Sequence, residues 1–242
     1  MFVRPLRINW RYAAGEIAII VVGILLAISL DNCNDARIAR RTEHEYVTRL
    51  AEDLRTDTTT FNFVDRALGR KAAALTFSDS IIKGVAALPD TLMFLQALVL
   101  GSNFSWNQPR VRTTTFEELQ STGNLRLLRD QKLRTQVVRY YTSAEADYLR
   151  IAGRRTRYGP LTYELLPRKG EFVLDSAAAR AQSKVLVDAL MNSEIDTAIR
   201  AERNLATFVA EMNAGLKQRA HELLRALEGA LREKMAINQD SP

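Results

Sequence analysis

Apolar and polar residues alternate in two different ways along this chain. From Ala13 to Leu30 the sequence AAGEIAIIVVGILLAISL is apolar on every side and carries one charge, Glu16. After Arg41 the apolar residues recur every three or four positions, so they line one face of a helix and leave the other polar. The first pattern suits a lipid environment. The second suits helices that bury a stripe against one another.

A membrane span needs about 20 residues, and Ala13 to Leu30 supplies about 27 Å at helical rise. Glu16 lies in the first turn, where its carboxylate reaches the headgroup zone and meets the positive end of the helix dipole. Trp10 and Tyr12 fit an interfacial aromatic belt. A cleaved signal peptide is the main rival, because Arg4, Arg7 and Arg11 form a basic leader and Ala27-Ile28-Ser29 loosely resembles a cleavage site. A lipoprotein reading of Cys33 fails, since Asp31 and Asn32 precede it instead of small residues. A buried core helix is the third alternative, since the uncharged part, Ile17 to Leu30, is short. Gly23 and Ala27 make a small-xxx-small pair through which two spans could approach, and with Glu16 they are the candidate packing positions of the span.

The polar run DNCNDARIARR, residues 31–41, is expected to leave the membrane as a linker. Thr42 and Glu45 then form a capping box opening a helix with the stripe Tyr46, Leu50, Leu54, Phe61, Val64, Leu68 and Leu75, ending near Gly84 to Pro89. Asp90 caps a short helix from Thr91 to Leu100, stopped by Gly101. The stretch SNFSWNQPRVR, with Trp106 and Pro109, has no period and reads as a loop. Thr115 and Glu118 make a second capping box, and Gly123 ends that helix in a left-handed turn. Asp130 caps the next one, which carries Leu133, Val137, Tyr140, Tyr141, Ala144, Tyr148 and Ile151 and is kinked or ended by Gly159-Pro160.

Pro167 to Gly170 is a break, and GEFVLD is the best strand candidate. Helix resumes after Ser176, and Asn192 or Ser193 restarts a final long helix striped by Ile195, Ile199, Leu205, Val209, Met212, Leu216, Ala220, Leu223, Leu227 and Leu231. The expected fold class is therefore all-α: an N-terminal transmembrane helix followed by an antiparallel helical bundle of long amphipathic helices. The expected boundaries are 1–12 for a basic tail, 13–30 for the span, 31–41 for the linker, 42–236 for the bundle and 237–242 for a frayed end.

Composition agrees with this. The 242 residues are 47% hydrophobic and 26% charged, with 11 glycines and 6 prolines, too few for a turn-rich all-β chain. The formal charge of +6 is accounted for by an anionic membrane surface and by arginine-rich solvated helix faces, so nucleic acid is not expected as a partner. One cysteine, Cys33, excludes an internal disulfide, and two histidines, His44 and His221, cannot build a multi-histidine metal centre. Both histidines fall on polar helix faces. No glycine-rich phosphate loop, Glu-x-x-His pair or G-x-S-x-G occurs, so no catalytic residue, cofactor or metal is assigned.

The candidate polar cluster is Glu117, Asn124, Arg139 and Tyr140, with Glu118 and Tyr141 beside it, because a tight turn at Gly123 would fold one helix back along the other. It reads as a buried network fixing that hairpin, with a ligand pocket as the functional rival. Trp106 could cap the hairpin or face a partner. Arg154, Arg155 and Arg157 form a basic patch, read as a solvated face with lipid headgroups as the rival.

Two stretches, GEIAIIVVGILLAISLDN at Gly15 to Asn32 and TFEELQSTGNLRLLRDQKLRTQVVRYY at Thr115 to Tyr141, together resemble a family of bacterial single-span proteins known only as a domain of unknown function. The chain has Cys33 where that family usually has an aromatic. The resemblance implies the architecture and no activity.

These readings give a non-enzymatic envelope interaction or scaffold module as the expected function. A sensor-like bundle for a small ligand ranks second and an enzyme of unknown type third. The expected partners are the lipid bilayer, a second copy of the chain, or another membrane or envelope protein. Three arginines precede the span without any acid, so the N-terminus is expected in the cytoplasm and the helical domain in the periplasm of a bacterial inner membrane.

Overall fold

The computed structural model describes residues 10–87, 90–102, 110–165, 185, 187–191 and 194–239, and among these there is no strand. GEFVLD, the break at Pro167 to Gly170, Trp106 and the restart at Asn192 or Ser193 lie outside the described residues.

The organising element is α1, Trp10–Ile82, a single helix of 73 residues and about 110 Å. Ile19, Ile20, Leu25, Leu26 and Leu30 are exposed along it, and its most apolar 18-residue window is unburied, so a core helix is not what this segment is. It is long and apolar enough to cross a membrane. Further along, Tyr46, Leu50, Leu54, Phe61, Val64, Leu68 and Leu75 are all buried, as their spacing predicts.

The expected helix start at Thr42 is corrected here: α1 runs through it, and through residues 31–41, without a break. The run holds neither Gly nor Pro, so nothing in it breaks the ladder. A capping box is needed only where backbone N–H groups lack partners. Inside a continuous helix there are none, and Glu45 pairs instead with Arg41 at 3.3 Å. The β-branched run TDTTT is carried by hydroxyls of Thr56, Thr58, Thr59 and Thr60 that each donate to the carbonyl four residues earlier.

Shorter elements follow, among them α2 (Thr91–Ser102), α3 (Thr114–Ser121), α4 (Gln131–Ala152) and α5 (Tyr158–Leu165), with a 3-10 turn at Asn124–Leu127. The last long helix is α6 (Ile195–Gln239). Gly101 does not stop α2. It lies inside it at a close approach, where a Cβ would come within 2.7 Å of both Leu75 Cδ2 and the Tyr158 hydroxyl. Helix α4 ends at Ala152, before Gly159-Pro160, and that pair falls in the first turn of α5, where proline is tolerated. Gly123 (φ 70°) makes the left-handed turn after α3, and the Asp130 carboxylate caps α4 by accepting from the N–H groups of Lys132 and Leu133.

Along α1 and α6 the partner numbers run in opposite order: Arg55 with Glu228, Asp65 with Lys217, Lys71 with Glu202. The apolar stripe of α6 joins three clusters. The lower one, nearest the exposed apolar segment, gathers Tyr46 to Phe61 of α1, Phe116 and Leu119 of α3, Leu133 to Ala144 of α4 and Leu216 to Leu227 of α6. A middle one holds Val64, Leu68, Ile151 and Val209. The upper one holds Leu75 and Ile81 with Phe94, Leu95 and Leu98 of α2, Tyr158 of α5, Val187, Leu190 and the start of α6.

Candidate functional site

Helix α3 runs down α1 and α4 runs back up it, so the hairpin between them sets its polar side chains against the lower part of α1. The capping box expected at Thr115 and Glu118 does not form, and among the described residues no side chain caps α3. Both residues turn to α1 instead. Thr115 Oγ1 donates to Asp53 Oδ2 at 2.5 Å. Glu118 accepts from the Tyr46 hydroxyl at 2.9 Å and from both terminal nitrogens of Arg49, at 3.2 and 2.5 Å. Asn124 Nδ2 donates to the Tyr46 oxygen at 3.2 Å. The Arg49 guanidinium beside Glu118, then the Tyr46 hydroxyl, hold that carboxyl below its ordinary range.

The expected cluster is therefore split and partly replaced. Glu117 and Arg139 are exposed and take no part in it. They lie on the outer faces of α3 and α4, one residue away from Glu118 and from Tyr140, and a one-residue step turns a helix by about 100°. Asn124 joins Tyr46, while Tyr140 is buried and joins Asp57.

Asp57 is the most perturbed carboxyl of this region. It is 1% exposed on the apolar stripe of α1, and burial pushes it up to about 6. The Arg112 backbone N–H, donating at 3.0 and 3.3 Å to its two oxygens, and the Tyr140 hydroxyl at 3.4 Å pull the other way without offsetting that desolvation. Tyr141 stacks on Phe116, with centroids 4.4 Å apart, and its buried hydroxyl has no hydrogen-bond partner among the described residues. Burial raises both tyrosines and keeps them neutral, reinforced by the charge of Asp57 at Tyr140 and by those of Asp53 and Asp57 at Tyr141. On the solvent side of Asp53 lies an open groove of about 510 Å³ lined by Arg49, Glu52, Asp53, Arg112, Thr114 and Thr115. Its lining offers guanidinium, carboxylate and hydroxyl groups together, which suits a ligand carrying both charges.

No family model, curated protein or solved structure matches the chain. Its chemistry is read from its own residues.

Among the described residues no group of three or more His, Cys, Asp or Glu side chains is placed to hold a metal ion. His44, His221 and Cys33 are exposed. Of the basic patch, Arg154 stacks over Phe208 at 4.2 Å, Arg155 donates to the Ala152 and Arg154 carbonyls, and Arg157 pairs with Glu194 at 2.6 Å.

A second polar centre was not anticipated from sequence. Lys71 of α1 and Glu202 of α6 form an ion pair whose side chains are 2% and 0% exposed, and Thr156 donates to the same carboxylate. Burial pushes the Lys71 ammonium down, while Glu202 holds it up. Their signal lay in the stripes: Lys71 is four residues after Ala67 and three before Ala74, and Glu202 falls midway between Ile199 and Leu205. A charge at a core position of a helix has to meet a partner.

Proposed function

We propose that this chain is a membrane-anchored antiparallel helical bundle acting as a non-enzymatic interaction or scaffold module. The observation that carries the reading is the continuity of α1, which passes from the exposed apolar residues Ile19–Leu30 to the buried stripe at Tyr46 with no break. A domain mounted on an uninterrupted helix is presented at a fixed height and heading above the bilayer, which is what an interaction platform requires. The N-terminus is placed in the cytoplasm and the domain in the periplasm on the strength of the acid-free basic leader.

Alkaline extraction of membranes, with a C-terminal reporter fusion, tests the anchor and its direction. The expected result is retention in the pellet and no signal from a reporter that works only in the cytoplasm. Crosslinking in the native membrane tests the interaction: a covalent adduct with a second copy or another membrane protein is expected, and protein that stays monomeric and alone overturns the reading.

A second reading, a sensor-like bundle for a small ligand, is favoured by the groove at Asp53 and by the buried Asp57 behind it. On that reading a ligand on Arg112 would be felt at Asp57, because the Arg112 backbone is bonded to that carboxylate.

A further inference from the structure

The hairpin has a tip, and the fold fixes where it points. Thr115 meets Asp53, Glu118 meets Arg49, and the Arg129 backbone N–H donates to Glu43 at 2.9 Å, so the chain descends α1 as it approaches the turn. It then climbs again, with Tyr140 at Asp57 and Ile151 against Val64 and Leu68. Residues 122–134 are thus the part of the hairpin closest to Leu30. The Arg129 side chain reaches lower still, with Nη2 3.4 Å from the Ala36 carbonyl. Ala36 is six residues beyond Leu30, about 9 Å along the helix. The headgroup layer itself extends about 5 to 7 Å beyond the hydrocarbon.

The charge of this tip is one-sided. The stretch TGNLRLLRDQKLR has four cations and one acid, and the acid, Asp130, is occupied as the α4 cap. Arg126, Arg129 and Lys132 are exposed, while Arg134 donates to the Leu128 carbonyl. The neighbouring stretch of α1, residues 31–41, carries Asp31 and Asp35 with Arg37, Arg40 and Arg41, the last paired with Glu45, so the stalk does not cancel the tip. The buried Glu43 is bonded to the Arg129 backbone. The other basic patch, at Arg154, lies beyond Ile151 and hence at the height of Val64 or above, about 50 Å from Leu30 and several screening lengths from any headgroup.

We propose that the hairpin tip, residues 122–134, docks on anionic phospholipid headgroups of the bilayer that α1 enters, with Arg126, Arg129 and Lys132 as the contacts. This rests on reading Ile19–Leu30 as a span. It gives the domain a second foothold beside α1, so that the tilt of the bundle is set by lipid charge as well as by the helix. Each cation near such a surface contributes about a fivefold preference for anionic over neutral lipid.

The test is hydrogen exchange of residues 122–134 in the full chain, held in nanodiscs of phosphatidylcholine alone or of an equal mixture with phosphatidylglycerol. Exchange several-fold slower in the mixed discs is expected, with the difference lost at high salt and in the R126E/K132E double variant. Both changed positions are exposed, and unchanged exchange of that variant in neutral discs will show an intact fold; the salt comparison on the unmodified protein stands without it. Equal exchange in both lipids, with the protein firmly disc-bound, overturns the docking and leaves the anchor standing. Protein that fails to stay with either disc overturns the anchor and the docking with it.

Discussion

The Lys71–Glu202 pair in the upper half of the domain has side chains 2% and 0% exposed, and the Arg49–Glu118 pair in the lower half has side chains 44% and 39% exposed. Both tie another helix to α1, and both are cation with carboxylate. Their energetics differ because a buried charge has lost its water. Its partner then becomes obligatory, whereas an exposed charge can always return to solvent. The upper half is therefore closed around a pair that fixes how α1 and α6 meet. The lower half, next to the exposed apolar segment, keeps this pair at the surface, and the groove and the hairpin tip are both found there.

The contrast is broken most directly at Lys71. Lys71→Met removes the cation paired with the buried Glu202 carboxylate, and breaking a buried ion pair on one side costs about 3 to 5 kcal/mol. Thr156 still donates one hydrogen bond to that carboxylate, but a hydroxyl does not neutralise it. The double change Lys71→Met with Glu202→Leu recovers most of the loss, since an apolar pair of similar volume suits the surrounding stripe. Urea denaturation of the two variants in detergent separates these outcomes. If the single variant is as stable as the parent, the pair is not desolvated.

Asp57 sharpens the comparison because it is a buried acid in the half that holds the exposed ion pair. Its folded value of about 6 lies above its ordinary 3.8, so between those values the folded chain holds a proton that the unfolded chain has released. Stability from this group is then fully present below about pH 4 and falls as pH rises to about 6, by on the order of 3 kcal/mol. Asp57→Asn removes that slope and leaves an acceptor for the Arg112 N–H. Denaturation midpoints across this pH window check the sign: stability that rises through the window in the parent, or a slope that persists in the variant, refutes the assignment.

A smaller effect distinguishes a glycine packed in the upper core from one on the open face of α1. Gly101→Ala forces a methyl group against Leu75 and the Tyr158 hydroxyl, and that hydroxyl is held by the Leu98 carbonyl at 2.7 Å. Overpacking of about 1 to 3 kcal/mol then exceeds the helix-propensity gain of about 1 kcal/mol. Gly69→Ala, at an exposed site of α1 with nothing within 4 Å, keeps the gain and stabilises. Opposite shifts in melting temperature are the expected result, and two shifts of the same sign would show that the upper core yields.

What the sequence disclosed divides along the same physical line. Hydrophobic period placed the stripes of α1 and α6, Gly123 and Asp130 placed the hairpin, and the apolar run placed the candidate span, because each is a local consequence of side-chain chemistry. The capping motifs at Thr42 and Thr115 misled for the opposite reason. A cap residue signals a helix start only if the backbone is free there and no tertiary partner claims the side chain, and Asp53 and Arg49 lie more than sixty residues away in sequence. The polar cluster failed by one helical step at Glu117 and Arg139, since composition names the residues of a hairpin but their faces depend on where the helix begins. Lys71 and Glu202 were visible as charges inside apolar stripes, yet their partnership is set by how α1 and α6 meet.

The smallest expected effect is at the exposed pair. Arg49→Ala removes the bidentate contact to Glu118, but that carboxylate keeps the Tyr46 hydroxyl and is open to water. The melting temperature should move less than in Lys71→Met or Gly101→Ala, and the shift should shrink further in high salt, where an exposed pair is screened. What changes is the groove, which loses one of its two guanidinium groups while Arg112 keeps the other. Stability with and without salt is the measurement. A loss as large as that of Lys71→Met, insensitive to salt, would mean that the lower half is sealed like the upper one and that the contrast between them is false.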